Sequence, residues 1–322
     1  MTDLAIIIVS WNVCRLLRAC LRSLRSALTE TGGQGLEASI WVVDNASTDG
    51  SAEMVRREFP QVRLLPSETN LGFAAGNNLA LRALGFDNGR GRTPPPAILL
   101  LNPDTEVLPG ALSALLACLE RYPRAGIAGA RLQYGDGRFQ HGAFAFPGLW
   151  QVAIDLFPRL SRLSESRLNG RYPRKLYEAA EPFPIDHPLG AAMLVRREAI
   201  FEVGLLDESY HMYVEEVDWS WRIKAAGWRA YCVPGARIVH HEGQSTGQIR
   251  AESFINLWRS RKRFYDRHYG RLKVRLIRRL VLAGMRGQTR LAQAEAARGE
   301  IPGEALAQRL EAYRQVAEVW RE

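Results

Sequence analysis

Three short stretches carry residues whose types and spacing could do chemistry together. The first is Asn102-Pro103-Asp104-Thr105, an amide and a carboxylate set directly after the apolar run Ala97–Leu101. An unbroken apolar run of this length reads as a strand buried on both faces of a parallel sheet. The carboxyl end of such a strand is where open α/β sheets place ligands. Asp104 is therefore a candidate to hold a divalent cation on a diphosphate, although the same residues also read as a turn in which Asp104 or Thr105 caps a following helix. The second stretch is Glu215-Glu216-Val217-Asp218. Val217, Trp221 and Ala225 recur every four residues, so a helix begins close to Glu215 and its dipole favours acids there. Crowded carboxylates suit a group whose pKa is set for proton abstraction. Partnered by Arg222 and Lys224, they also describe an ordinary acidic helix start. The third stretch is His240-His241-Glu242, at the end of short β segments. A histidine there can ligate a metal or simply serve the fold.

The elements that must position these residues follow from periodicity. Leu4–Ser10 is a β-branched strand, and Leu16, Leu17, Cys20, Leu21, Leu24 and Leu28 mark a helix with one apolar face. A glycine-rich loop at Thr31–Gly35 leads to a second strand, Ser39–Val43. That strand ends in the polar run Asp44–Ser51, a helix start continued by Met54, Val55 and Phe59. Val62–Leu65 is a third strand. Asn70–Asn78 reads as a glycine-rich anion-binding turn before a helix over Leu79–Leu84, and Asp87–Pro96 as a loop. This alternation predicts an α/β fold with a mostly parallel, open twisted sheet flanked by helices. After a helix over Ala111–Tyr122 the pattern changes. Tyr134–Gly137 marks a hairpin, Trp150–Pro184 is irregular and reads as an insertion near the site, and Leu189–Val195 returns as a strand. A helix over Arg196–Val203 closes at Gly204, and short β segments follow at Ala230–Val233 and Arg237–Val239.

Composition narrows the class. The 322 residues are 47% hydrophobic and 24% charged, as in a soluble globular protein. No apolar run approaches the roughly 20 residues that span a bilayer, and the amino terminus has no basic segment of signal-peptide type. Cys14, Cys20, Cys118 and Cys232 are scattered as in a reduced compartment, which makes the cytoplasm the expected location. The net charge of +9 is concentrated in one place, Ser253–Arg290, where twelve Lys or Arg stand against a single Asp. There Leu272, Leu276, Leu280 and Ala283 form an apolar stripe widened by Ile277 and Val281, beside Arg271, Lys273, Arg275, Arg278 and Arg279. Such a helix can lie on an anionic membrane surface or dock on the body with its basic face in solvent. Glu304–Trp320 is a last helix. Trp258, Phe264 and Tyr265 among arginines also admit a nucleic-acid-binding module.

Taken in order, IIIVSWN (Ile6–Asn12), VVDNASTDGS (Val42–Ser51), NLGFAAGNN (Asn70–Asn78), LLLNPDTEV (Leu99–Val107), GAAMLVRREAIFEVGLLDE (Gly190–Glu208), YVEEVDWSWR (Tyr213–Arg222) and VPGARIVHHEGQST (Val233–Thr246) resemble the inverting family 2 glycosyltransferases of GT-A fold. The similarity is strongest to their bacterial rhamnosyltransferase-like branch. It implies a GT-A domain over 1–250, with a nucleotide-sugar half to about residue 110 and an acceptor and catalytic half beyond it. Residues 251–322 would be C-terminal basic amphipathic helices. It implies donor binding by Ser10, Asn12, Asp44, Asn45 and Asn70, and by Gly72, Asn77, Asn102, Asp104 and Arg222. The implied metal ligands are Asp104 and His240, with Mg²⁺ or Mn²⁺ as cofactor. The implied base is Glu216, with Glu215 and Asp218 as alternatives. Two departures stand out: Asn102 occupies the place of the first acid in the metal signature, and Glu215-Glu216 replaces a Glu-Asp pair. The implied partners are a dTDP- or UDP-sugar, such as a rhamnose donor, and a glycan or lipid-linked acceptor. An anionic membrane surface met through the basic helices of 253–290 would make the protein peripheral on the inner face of the plasma membrane. Nucleic acid is not an expected partner. A sugar-phosphate nucleotidyltransferase is the competing enzyme class. It should carry a basic, glycine-rich loop after the first strand, where this chain has Ser10-Trp11-Asn12-Val13-Cys14.

Overall fold

In the computed structural model the described residues are 3–32, 36–87, 93–241 and 250–321. Residues 33–35 of the glycine-rich loop, 88–92 of the loop before Pro94, and 242–249, which include the predicted stretch from Glu242 to Thr246, lie outside them. Strands and helices alternate through the first third: β1 (Leu4–Ser10), α1 (Cys14–Gly32), β2 (Ala38–Asn45), α2 (Ser51–Glu58), β3 (Arg63–Ser67), α3 (Gly72–Ala83) and β4 (Ala97–Leu101). These four strands pair in parallel in the order β3-β2-β1-β4. The period of two in β1 explains the layering. Leu4, Ile6 and Ile8 join one core with Leu17, Leu21 and Met54, while Ala5 and Ile7 join a second with Ala74, Ala80 and Leu81. Helices α1 and α2 thus cover one face and α3 the other.

The second half completes the sheet with mixed directions. It contains β5 (Thr105–Val107), α4 (Ala111–Arg121), β6 (Ala125–Gln133), β7 (Phe139–Gln140), β8 (Ala143–Phe144), α5 (Leu149–Leu156), α6 (Arg174–Glu178), β9 (Phe183–Ile185), β10 (His187–Pro188), β11 (Ala192–Arg196), α7 (Arg197–Val203), α8 (Glu215–Ala225) and β12 (Arg229–His240). The sheet continues from β4 as β11-β6-β12-β5, with β11 antiparallel to both of its neighbours. The predicted α/β class and flanked, largely parallel sheet are what the chain forms.

Four local expectations change. Thr105 opens β5, paired with β12, so Asn102–Asp104 is a strand-to-strand turn and caps no helix; α4 starts six residues later. Helix α3 begins at Gly72, not Leu79, so the glycine-rich stretch is itself helical. Gly76 is needed there because an added Cβ would lie 2.9 Å from Val9 Cγ1. The two β segments near Pro234 are one strand, β12, with a register shift between Val233 and Arg237 that absorbs the proline. Trp150–Pro184 is not wholly irregular, since it holds most of α5, two short 3₁₀ turns, α6 and the start of β9.

The chain forms two compact units. One comprises residues 1–145, 172–211 and 215–245 and contains the sheet. The other comprises 146–171, 212–214 and 246–322, so part of the predicted insertion packs with α9 (Arg250–His268), α10 (Arg271–Ala297) and α11 (Gly303–Val319). In this second unit Trp258, Phe264, Tyr265 and Trp320 are fully enclosed, and Trp320 Nε1 donates to the Trp258 carbonyl at 3.1 Å. These aromatics are core and have no face to offer a base, which removes the ground for the nucleic-acid alternative. Ile277, Val281 and Met285 form the buried stripe of α10, and Gly284 lets that helix close on Leu156 of α5.

Candidate functional site

The carboxyl ends of β1, β2 and β4 bring the first group of candidates together. Ser10 and Asp44 are register partners on β1 and β2, both buried. Ser10 Oγ, Asp44 Oδ1 and Asn45 Oδ1 are enclosed yet have no hydrogen-bond partner among the described residues. Buried polar atoms are nearly always satisfied, so three orphans at adjacent strand ends mark a place prepared for a polar ligand. The loops around them are tightly built. The Asn12 amide donates to Ser47 Oγ at 3.0 Å, and Asn12 Oδ1 accepts from the Thr48 amide at 2.8 Å. The Cys14 amide donates to Asp49 Oδ2 at 2.7 Å. Asn12 and Ala46 both adopt left-handed backbone, with φ of 51° and 59°, a conformation that costs free energy and is tolerated where the surroundings enforce it.

Asn70 and Gly72 shape the third wall. Asn70 Oδ1 accepts from the Gly72 amide and from Asn45 Nδ2, which also donates to the Gly72 carbonyl at 3.1 Å. At Gly72 φ is +77°, and an added Cβ would lie 2.1 Å from the His211 carbonyl oxygen, so no other residue fits. Asn77 differs from expectation, because its Nδ2 donates to the Phe73 carbonyl within α3. Its neighbour Asn78, which the spacing did not single out, fastens α3 to the segment after α7: it donates to the Leu206 carbonyl and accepts from the Leu206 amide.

At the end of β4 the buried carboxylate of Asp104 lies 3.5 Å from His240 Nε2, Oδ1 being the nearer oxygen. The pairing of β12 with β5 sets this distance, with His240 opposite Thr105 and the His241 amide donating to the Asp104 carbonyl at 2.9 Å. His241 turns elsewhere, its Nε2 lying 2.7 Å from Glu106 Oε1. Nearby, burial pushes the Cys20 thiol up to about 12, so it stays protonated beside Thr105. Asp104 and His240 supply one oxygen and one nitrogen in an enclosed position, a donor set that suits Mg²⁺ or Mn²⁺. Among the described residues no group of three His, Cys, Asp or Glu could hold a metal ion. Asp104 and His240 are thus the two residues that would hold such an ion here.

The acids of α8 separate by environment. Asp218 is fully enclosed: Arg222 Nε donates to its Oδ2 at 2.8 Å, and the Tyr210 hydroxyl to its Oδ1 at 3.5 Å. Arg222 also donates to the carbonyls of Val203 and Leu205 at 2.8 and 2.9 Å. This pair locks α8 to the turn after α7, which takes Asp218 out of the set of bases and Arg222 out of the donor set. Glu215 is buried and Glu216 half-buried. The Glu216 side chain lies against Gly190, where an added Cβ would be 3.4 Å from its Cγ. The next residue, Ala191, accepts from the Asn102 amide at 2.9 Å, so Glu216 stands beside the turn that carries Asp104. Tyr213 and Val214, directly before α8, have φ of 70° and 71°, an outlier for a β-branched residue.

Comparison with known proteins gives the family and the fold. The description "Glycosyl transferase family 2" matches residues 5–204. The chain is 34% identical over 240 residues to the N-acetylglucosaminyl-diphospho-decaprenol L-rhamnosyltransferase of Mycobacterium tuberculosis (strain ATCC 25618 / H37Rv), covering 72% of this chain and 76% of the relative. It is 24% identical over 256 residues to the low-salt glycan biosynthesis hexosyltransferase Agl10 of Haloferax volcanii, covering 80% and 72%. Among solved structures, the mannosyltransferase PcManGT of Pyrobaculum calidifontis in complex with GDP-Man and Mn²⁺ superposes with a TM-score of 0.53 at 18% identity, over 99% of this chain and 84% of that one. GalNAc-T7 with UDP, GalNAc and Mn²⁺ superposes with a TM-score of 0.53 at 17% identity, over 74% of this chain and 43% of that one. At these identities the structural likeness speaks to the fold.

Proposed function

The chain belongs to glycosyl transferase family 2, and from that premise we propose that it is an inverting transferase moving a deoxysugar such as rhamnose. The donor is a nucleoside-diphosphate sugar, dTDP- before UDP-linked, and the acceptor a hydroxyl of a lipid-linked glycan. The observation that carries this reading is the convergence, at one end of the sheet, of the orphaned oxygens of Ser10, Asp44 and Asn45 with the Asp104–His240 pair and Glu216. The first three residues receive the base and ribose. Asp104 and His240 would hold a divalent cation, which when bound offsets the charge of the departing diphosphate. Glu216 takes the proton from the acceptor hydroxyl while its oxygen attacks the anomeric carbon on the face opposite the diphosphate, and the bond from that carbon to the diphosphate oxygen breaks. A single displacement of this kind inverts the anomeric centre.

The test is a transfer assay with a panel of dTDP-, UDP- and GDP-sugars, an N-acetylglucosaminyl diphosphate lipid as acceptor, and Mn²⁺ present or chelated. Transfer from one donor class, with inversion read by NMR of the product, supports the reading; retention of configuration refutes it. Glu216→Gln should lower turnover about 10²- to 10⁴-fold while leaving donor affinity, read by calorimetry, intact. Near-normal turnover would assign the base to Glu215. No helix among the described residues is long and apolar enough to cross a membrane. The protein meets its lipid acceptor through the basic face of α10, at the inner face of the plasma membrane.

A further inference from the structure

The ring of His240 has a partner at each nitrogen. Nε2 lies 3.5 Å from Asp104 Oδ1, and Nδ1 lies 3.2 Å from Gln140 Oε1. All three residues are buried, at 5%, 6% and 4% exposure for His240, Asp104 and Gln140. Gln140 reaches this position through two strand pairings. It is opposite Leu132 in the β6–β7 hairpin, and Leu132 is in turn opposite Ile238 in the parallel pairing of β6 with β12. A carboxamide oxygen can only accept, so with Gln140 Oε1 turned towards the ring this contact calls for the proton on Nδ1. In the tautomer with its proton on Nδ1 the ring keeps its lone pair on Nε2, which faces the Asp104 carboxylate. Two electron-rich groups facing each other inside the protein repel, unless a cation comes between them.

We propose that Gln140 is a positioning residue of the donor site, which fixes the Nδ1-protonated tautomer of His240 so that Nε2, together with Asp104, is presented to the divalent cation. This rests on the metal-dependent reading above. Partners of this kind fix tautomer and ring orientation, and losing one typically costs about 10- to 100-fold in metal affinity.

Two measurements test it. In metal-free protein labelled with ¹⁵N-histidine, long-range proton–nitrogen NMR reads the His240 tautomer, the signals being assigned by their absence in His240→Gln. The Nδ1–H form is expected. The Nε2–H form, with the amide of Gln140 donating to Nδ1 and His240 donating to Asp104, would overturn the proposal. In the second, Mn²⁺ is titrated by electron paramagnetic resonance in a fixed excess of dTDP, and in parallel of UDP. Gln140→Leu should bind Mn²⁺ about 10- to 100-fold more weakly. Gln140→Glu, which keeps an acceptor oxygen in the same place, should stay near the wild-type value, with near-UV circular dichroism confirming native packing in both. Wild-type affinity in Gln140→Leu, or an equal loss in Gln140→Glu, overturns the assignment. A wild-type protein that binds no Mn²⁺ in either titration sinks the metal reading itself and the proposal with it, whereas the Nε2–H tautomer sinks the proposal alone.

Discussion

Glu216 and Asp218 stand two residues apart on α8 and have opposite fates. Asp218 is held by Arg222 and Tyr210 with no exposure at all, whereas Glu216 lies against a glycine at the edge of the site. Removing one member of a buried ion pair leaves the other uncompensated, a loss of about 3 kcal/mol or more. Asp218→Ala should therefore lower unfolding stability by that amount in a urea titration, while the fraction that stays folded binds donor normally. A variant of wild-type stability that binds donor but transfers nothing would return Asp218 to the catalytic set. That acids crowd the start of α8 is legible in the chain. Which of them meets solvent is not, because Val203 and Leu205, whose carbonyls hold Arg222, lie on the far side of a turn that local spacing does not reveal.

At the scale of elements, the short β8–β10 pair shows how packing creates pH sensitivity away from the chemistry. His187 on β10 stacks on Phe144 of β8, and its Nδ1 lies 3.0 Å from the Pro188 carbonyl. Burial pushes its imidazole down to about 4, with Lys224 acting the same way and the Pro188 carbonyl and Asp186 partly opposing. In the unfolded chain the ring titrates near its ordinary value of about 6.5. Between these two values the unfolded state holds a proton that the native state refuses, so stability present at neutral pH falls as the pH drops through 6.5 towards 4. The full effect is about 3 kcal/mol. Urea unfolding at pH 7 and pH 4.5 should show this loss, and His187→Phe should shrink the difference between the two. An undiminished difference would place the acid sensitivity elsewhere. The β8–β10 pairing itself is absent from the sequence pattern, since two-residue strands carry no periodicity.

Across the whole molecule, large exposed hydrophobic side chains are unevenly distributed. Among the described residues Trp150, Leu168, Leu272, Leu276 and Leu291 all belong to the unit built around the C-terminal helices, and Phe201 alone to the sheet unit. Helix α10 therefore has two apolar faces. Ile277, Val281 and Met285 are packed inward, whereas Leu272, 73% exposed, and Leu276 point outward among Arg271, Arg275 and Arg279. The predicted stripe thus divides between a docked face and a free one. Arginines at an anionic bilayer contribute about 1 kcal/mol each, screened by salt. The combined change of Arg271, Arg275 and Arg279 to Gln should weaken flotation with phosphatidylglycerol vesicles by about two orders of magnitude, and raised salt should weaken the wild type likewise. Flotation equal to wild type in the triple variant would refute the membrane surface.

The sequence by itself determines the alternating elements of the first half, the carboxyl-terminal placement of Ser10, Asp44 and Asp104, and the family. These follow from runs and periods that a strand or helix imprints on its own residues. Tertiary structure alone decides that Asn102–Asp104 is a turn between two strands, that His240 meets Asp104 and Gln140, and that Arg222 reaches the carbonyls of Val203 and Leu205. Each of these depends on groups brought together by sheet register or helix packing, which no local pattern in the chain encodes. The stretch around Asp104 reads as half a site for that reason: its partner His240 arrives from 136 residues away, on β12, where strand pairing alone puts it within reach.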